Sequence, residues 1–246
     1  MSRPPAMPSS NSIEKLQILR THSLASVVYQ EIERMIVEGE LQGGDRINEK
    51  VLAEQQGVSR GPIREACRRL EEAGLVEIKI NRGVFVRKLA FDDVLEIYEI
   101  RAALFGFAGR IVAQVVTTAQ IDELDALAGK MRAFVDAGDV ESYYPLNLEF
   151  HALLMTFTGN KRLARLYESM NKELHLYRRR TLVVGSNLHA SLEEHEEIVE
   201  ALRSGNPTRI SKAMRIHSLG GRNRLLRTTP REASPRFLDT WDDDDE

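Results

Sequence analysis

The sequence predicts a mainly helical protein of two domains, a small N-terminal domain that ends in a β-hairpin and a larger all-α bundle. Two observations carry this prediction. Short helical periods followed by two β-branched runs occupy residues 22–89, whereas residues 90–227 show helical periods alone. At 246 residues the chain is long enough for each domain to bury a core of its own.

The two ends of the sequence differ in composition from the rest. Residues 1–21 are polar and rich in Pro and Ser at the front, and residues 228–246 finish with the acidic run DDDDE. Such segments bury too little apolar surface to order themselves, so we expect a flexible arm and a disordered acidic tail. The start lacks the apolar run of a secretory signal and no stretch approaches a membrane span in length, so we expect a cytoplasmic protein without membrane contact.

The first domain opens with an amphipathic helix that follows Ser23 and stops near Gly39. Its apolar residues recur at helical spacing at Val28, Ile32, Met35 and Ile36. The run QGGDR predicts a turn, and NEKVLAEQQ predicts a short helix that Asn48 caps and Gly57 ends.

A third helix and a hairpin complete this domain. Ser59 stands at the N-cap position of VSRGPIREACRRLEEAG, Pro62 falls in the first turn, and Gly74 closes the helix. The runs LVEIKI and GVFVRKL are β-branched and are separated by NRG, which predicts a two-stranded wing. The sequence therefore predicts a winged helix-turn-helix.

Four arginines lie within ten positions of the third helix. At 100° per residue, Arg60, Arg64 and Arg68 form a row on one side, and the adjoining face is apolar at Ile63, Ala66, Cys67 and Leu70. Residues 60–88 hold eight Lys or Arg against four Glu, although the whole chain has a net charge of -3. An α-helix fits the major groove of DNA, where Arg can bridge two acceptors on guanine. The alternative is a solvated helix with Glu65/Arg69 and Arg68/Glu72 as i,i+4 pairs.

The run LAEQQGVSRGPIREACRRLEEAGLV, followed by NRGVFV, resembles the DNA-binding domain of the GntR family of bacterial transcription regulators over about residues 24–89. The resemblance implies a double-stranded, near-palindromic operator as partner. It places the DNA contacts on Lys50, Ser59, Arg60, Gly61, Arg64, Arg82 and Gly83. Cys67, the single cysteine, lies on the apolar side of its helix and is interpreted as a core residue.

The second domain is predicted to be an antiparallel bundle of about six helices. Its helical periods break near Thr117, Gly138, Gly159, Gly185 and Gly205. Residues suited to N-caps follow the breaks or the domain boundary at Asp92, Thr118, Asp139, Asn160 and Asn206.

Three histidines fall on separate predicted helices of this bundle. NLEFH puts Asn147 four residues before His151, LEEHEEIVEAL contains His195, and AMRIHSL contains His217. Facing helices can bring such side chains together, and three imidazoles with one amide oxygen suit a divalent metal such as zinc or nickel. By spacing alone, a satisfied core or surface histidine is the preferred interpretation, and it is the one adopted for His22, His175 and His189.

These runs, together with AFDDVLEIYEIRAAL, resemble the FadR-type ligand-sensing domain of GntR regulators over about residues 92–227. The resemblance implies a divalent metal held by Asn147, His151, His195 and His217. It also implies that Arg101 faces the cavity, where its guanidinium would pair with an effector carboxylate. The alternative for Arg101 is a surface ion pair with Glu96 or Glu99.

The sequence thus predicts a homodimeric DNA-binding transcription regulator, expected to be a repressor, that responds to a small-molecule carboxylate and is not an enzyme. Two rival interpretations remain open. A metal-dependent hydrolase would use the three histidines, with Glu149 or Glu196 as base. An architectural DNA protein would carry an inert helical domain.

Overall fold

The computed structural model describes residues 23–182, 184–185 and 187–228. The predicted arm at residues 1–21 and almost all of the predicted tail at residues 228–246 therefore lie outside the described residues. The chain divides into two compact units, with the division between Lys88 and Leu89. Each unit has its own core.

The first unit contains three helices and a three-stranded antiparallel sheet in the order β1-β3-β2. In chain order its elements are α1 Leu24–Val37, β1 Arg46–Ile47, α2 Glu49–Gln56, α3 Arg60–Glu72, β2 Val76–Lys79 and β3 Gly83–Val86. The prediction of a two-stranded wing was incomplete, because a third strand, β1, pairs with β3. In this pairing Arg46 lies opposite Phe85 and Ile47 opposite Val84. Two residues are too few to show the alternation that marks a strand, so sequence pattern indicated a turn there.

The caps of the short helices follow the predicted chemistry with one exception. Asn48 Oδ1 accepts hydrogen bonds from the backbone amides of Lys50 and Val51, at 3.1 and 3.3 Å. Gly57 ends α2 with φ of +64°, a conformation that glycine adopts without steric cost. Ser59 occupies the N-cap of α3, but its side chain makes no capping hydrogen bond.

The third helix rests on its predicted apolar face. Ile63, Ala66, Cys67 and Leu70 are all fully buried. Burial raises the pKa of the Cys67 thiol to about 12, with a smaller contribution from Glu49, so the side chain stays a neutral core group. Helix α3 is thereby fixed to the rest of the unit along one side.

The second unit consists of six helices, as predicted, among the described residues. They are α4 Phe91–Val115, α5 Thr118–Ala137, α6 Val140–Phe157, α7 Lys161–Leu182, α8 Asn187–Ser204 and α9 Pro207–Thr228. Predicted caps at Asp139, Asn160 and Asn206 are confirmed by their hydrogen bonds to backbone amides.

Two of the predicted caps were wrong by one or two residues. Thr117, rather than Thr118, caps α5, with its hydroxyl accepting from the Gln120 amide at 3.3 Å. Helix α4 starts after Ala90, before Asp92, because the Asp93 carboxylate accepts the Ala90 amide at 3.0 Å. A cap therefore depends on which neighbouring side chain reaches the free amide.

Helices α4 and α9 approach closely where glycines replace side chains. A Cβ on Gly109 would lie 2.9 Å from Ser211 Cα, and a Cβ on Gly221 would lie 2.8 Å from the ring of Tyr98. The Ser211 hydroxyl donates to the carbonyl of Gly106 at 2.8 Å. The run LFGFAG in α4 thus places Gly106 and Gly109 directly against α9.

The larger core of this unit is built from all six helices, and its centre contains aromatic side chains that surround three buried histidines. No helix in the described part of the chain combines the length and the apolar character that a bilayer crossing requires.

We predict that Gly109→Val lowers the free energy of unfolding by about 1–3 kcal/mol, because the added atoms overlap the α9 backbone. The matched control is Gly129→Ala in α5, where a Cβ meets nothing within 4 Å. That control should raise stability by about 0.5–1 kcal/mol through helix propensity. Urea unfolding followed by circular dichroism measures both, and equal stability of the two variants would contradict the close approach.

Candidate functional site

The predicted DNA-contacting arginines of α3 lie on its solvent side. Arg60, Arg64 and Arg68 are all exposed, and the Arg64 side chain is 62% accessible. Its Nε lies 3.7 Å from a carboxylate oxygen of Glu49, too far for a strong hydrogen bond. A rigid helix therefore presents a row of cations that bulk solvent can reach.

The intrahelical pairs that would make this helix a merely solvated one are not formed among the described residues. Neither Glu65 with Arg69 nor Arg68 with Glu72 comes within ion-pair distance. Arg69 instead donates to Ser26 Oγ at 2.9 Å and lies over the Tyr29 ring, 4.9 Å from its centre. It holds α1 against α3.

The start of α3 provides further groups for an anion. Ser59 and Gly61 are exposed, and the Ser59 hydroxyl takes no part in capping the helix. The first amides of a helix lack intrahelical acceptors and attract anions such as phosphate. Lys50 on α2 is also exposed, at 72%, with its ammonium 3.9 Å from Glu54.

The wing tip lies between β2 and β3. The Arg82 amide donates to the Lys79 carbonyl at 2.9 Å, and Gly83 adopts φ of +105°. Arg82 is exposed. The wing is tied to α3 through the Ile78 amide, which donates to Glu71 Oε1 at 2.9 Å.

Sequence reasoning missed one cation at this tip. Arg46 of β1 lies so close to Gly83 that a Cβ there would be 3.2 Å from Arg46 Nε. Because the strand that carries Arg46 was interpreted as a turn, no pattern pointed to it. The wing therefore presents Arg46 beside Arg82.

The three histidines predicted as ligands come together in the core of the second unit. His151 of α6, His195 of α8 and His217 of α9 are all buried, and one ring nitrogen from each lies within 4.8 Å of the others. The Nε2 atoms of His151 and His217 are 3.0 Å apart. Asn147 lies one turn before His151 on α6 and is also buried.

Each of these imidazoles is oriented by a hydrogen bond at its outer nitrogen, Nδ1. The Tyr167 hydroxyl lies 3.0 Å from His151 Nδ1, and the Tyr143 hydroxyl lies 3.3 Å from His195 Nδ1. His217 Nδ1 donates to Glu194 Oε2 at 2.9 Å. The Nε2 atoms are therefore the ring nitrogens that face the centre of the cluster.

Glu194 is held in turn by Arg224. The guanidinium donates to both carboxylate oxygens, at 2.5 and 2.9 Å. A carboxylate that accepts from the outer nitrogen of a metal-binding histidine fixes the tautomer and makes the ring a stronger ligand. Sequence reasoning missed Glu194, Arg224, Tyr143 and Tyr167, because no spacing rule marks the partners of a ligand.

The residues present fit a divalent metal of borderline softness. Three neutral imidazoles with satisfied outer nitrogens are the donor set that zinc and similar ions prefer. His151, His195 and His217 would hold such an ion, and Asn147 is placed on the same side of α6 as His151. The other two histidines of the described residues fit the simpler interpretation, since His189 is exposed and His175 bonds the Tyr144 hydroxyl at 2.7 Å. His22 lies outside the described residues.

A narrow polar cavity adjoins the histidine cluster. It is lined by Tyr98, Arg101, Thr181, Leu182, Ser191, His217, Gly221 and Arg224. Arg101 is buried, donates from Nε to Asn171 Oδ1 at 2.8 Å, and lies over the Tyr167 ring at 5.0 Å from its centre. Neither Glu96 nor Glu99 pairs with it within the described structure, and Glu99 lies 3.5 Å from Arg222 instead.

The two bases that a hydrolase would need are poorly placed. Glu149 is exposed on α6, and Glu196 is engaged by Arg132, whose Nε lies 3.2 Å from its carboxylate. A general base must lie within hydrogen-bond reach of the water that it activates. The carboxylate at the cluster, Glu194, is already bonded to His217 and Arg224.

Comparisons with known proteins identify a family for each of the two units. Residues 24–86 match the family described as bacterial regulatory proteins, gntR family, and residues 96–219 match the FCD domain. The chain is 35% identical to the HTH-type transcriptional regulator YdhC of Bacillus subtilis, over 72% of this chain and 80% of that protein. It is 31% identical to a Paenarthrobacter nicotinovorans protein named "Probable D-xylose utilization operon transcriptional repressor", over 79% and 85% of the two chains.

The fold has a counterpart of known structure. Escherichia coli McbR/YncC superposes with a TM-score of 0.73 at 21% identity, covering 84% of this chain and 98% of that one. The relatives are transcription regulators, so the hydrolase interpretation is rejected. With both of its units matched, the chain belongs to the GntR family of bacterial transcription regulators and carries an FCD domain behind its winged helix-turn-helix.

Proposed function

We propose that the protein is a homodimeric repressor that binds a near-palindromic operator and releases it when a small carboxylate binds beside a divalent metal in the FCD domain. The observation that carries the DNA-binding part is the exposure of Arg60 and Arg64 on a helix whose opposite side is buried. The repressor role is supported by the name of the Paenarthrobacter relative.

The winged unit supplies both kinds of DNA contact. The exposed arginines at the start of α3 reach base edges in the major groove, while Ser59, Gly61 and Lys50 contact phosphates. Arg82 and Gly83, with Arg46 beside them, approach the backbone or the minor groove at the wing. These contacts position the helix and read the sequence together.

The effector proposal rests on the position of Arg101. Its guanidinium lines the cavity that His217 also lines, and it packs on the ring of Tyr167, whose hydroxyl orients His151. The cavity has a volume of about 10 Å³, room for about one water, so it must widen to admit a carboxylate, which would then meet the Arg101 guanidinium on one side and the metal site on the other. We propose that the metal is zinc or nickel, held by the three histidines together with Asn147. Effector binding then changes operator affinity through a coupling free energy of about 1–3 kcal/mol.

The dimer proposal rests on an exposed apolar face of α4. Phe107 and Ile100 are 52% and 51% exposed and lie two helical turns apart on one side, with Ala103 between them. A second copy of the chain is the occupant that a two-fold operator requires, because one recognition helix makes too few base contacts.

Arg64→Ala should weaken binding to a specific operator by about 1–3 kcal/mol and lower the salt dependence of binding, because a groove-facing cation is lost. The control is Arg34→Ala on α1, an exposed arginine that already pairs with Glu31 and Glu40. Fluorescence anisotropy with an operator recovered from genomic fragments measures both. The assignment is wrong if Arg64→Ala binds that operator as tightly as the unaltered protein.

Glu194→Gln should lower the affinity for zinc by about 10- to 100-fold, because His217 loses a charged acceptor at its outer nitrogen. His151→Ala should abolish stoichiometric binding, whereas His189→Ala on the surface should change nothing. Isothermal titration with zinc, together with elemental analysis of the purified protein, gives the readout. Retention of full affinity after loss of His151 would refute the metal site.

Phe107→Asp should convert the dimer to a monomer, since a charge would be buried without a partner at the interface. Circular dichroism should stay unchanged, because Phe107 is half exposed in the single chain. Ile80→Asp, at an 87% exposed position of the wing, is the control that should stay dimeric. Sedimentation velocity measures the mass, and a dimeric Phe107→Asp would place the interface elsewhere.

A further inference from the structure

A second concave site lies on the FCD domain, between α4 and the start of α9. It is a groove of about 570 Å³. It is lined by Arg110, Gln114, Pro207, Thr208, Ser211, Lys212 and Arg215. None of these residues belongs to the histidine cluster or to the cavity that contains Arg101.

The charge of this groove is one-sided. Arg110, Lys212 and Arg215 line it, and no carboxylate does. In the described part of the chain none of these three makes an ion pair. Two neighbouring surface arginines of the domain are neutralised, Arg209 by Glu197 and Arg203 by Asp125. Three uncompensated cations in one groove create a positive potential that favours an anionic occupant.

The same chain contains an anionic segment. Residues 242–246 are all Asp or Glu, and residues 229–246 hold seven acidic side chains against two basic ones. A run of adjacent carboxylates repels itself, so it is stabilised wherever cations are held close together.

The segment is long enough to reach the groove. Helix α9 ends at Thr228, and Lys212 lies sixteen residues back along it, which is about 24 Å at the helical rise. The thirteen residues 229–241 can span up to about 45 Å when extended. The acidic run can therefore reach Lys212 along the side of its own helix, or reach the same groove of a dimer partner.

We propose that residues 242–246 bind in the groove formed by Arg110, Lys212 and Arg215. Bound there, the segment neutralises the groove and covers the start of α9. Phosphate, nucleic acid or another acidic protein would be a different occupant, and the test below separates them from this one.

Trp241, the single tryptophan of the chain, directly precedes the acidic run and reports on its position. The groove variant of the full-length protein replaces Arg110, Lys212 and Arg215 with Gln. A charge-matched control replaces three exposed cations elsewhere on the domain with Gln, namely Lys130, Arg162 and Arg165. A tail variant replaces each Asp of residues 242–245 with Asn and alters no described residue.

Quenching of Trp241 by acrylamide is the measurement. In the groove variant and in the tail variant, we expect quenching to rise to the level of a free peptide of residues 237–246, and we expect no further rise when both are combined. Raising the salt from about 0.05 M to about 0.5 M should raise quenching in the unaltered protein and in the control variant, but not in the groove variant or the tail variant. Circular dichroism checks that each variant is folded.

Three results would overturn the proposal. Trp241 in the unaltered protein could be as accessible as in the free peptide at low salt. The groove variant could leave its quenching unchanged. The control variant could raise quenching as much as the groove variant, which would make the effect one of net charge alone.

Discussion

Burying three imidazoles in the middle of a helical bundle is the constraint on which the FCD domain depends. A buried polar group without a partner costs free energy, so each ring needs a partner for its outer nitrogen. Tyr143, Tyr167 and Glu194 meet that need from α6, α7 and α8. The positions of these helices are therefore linked to the geometry of the cluster. A change in the orientation of a ring would shift the helix that carries its partner.

The link to the rest of the domain passes through α4 and α9. Gly109 on one helix and Gly221 on the other allow the two backbones to approach, and this brings Arg101 and Arg224 to one cavity. Arg224 holds Glu194, while Arg101 packs on Tyr167. An effector that draws on either guanidinium would disturb the groups that orient His217 and His151. The exposed apolar face of the proposed dimer lies on the same α4, so the proposed effector cavity and the proposed interface share one helix.

In the winged unit, the orientation of α3 depends on a few contacts. One face of α3 is buried in a small core, and Arg69 and Glu71 tie the helix to α1 and to the wing. The remaining arginines then project into solvent from a helix that is bonded to the wing. Preorganisation of this kind reduces the entropy lost when the unit binds a partner.

The sequence by itself determined the order of the helices, the two strands of the hairpin, the buried face of α3 and the exposed row of arginines. These follow from local rules, since period, capping and turn chemistry act within a few residues. Only the tertiary structure decided that the histidines meet, that Glu194 and Arg224 complete their surroundings, that Arg46 joins the wing tip, and that Arg110, Lys212 and Arg215 form one groove. Those contacts join residues far apart in sequence, and they depend on how closely helices pack, which here is set by glycines whose purpose no pattern of spacing reveals.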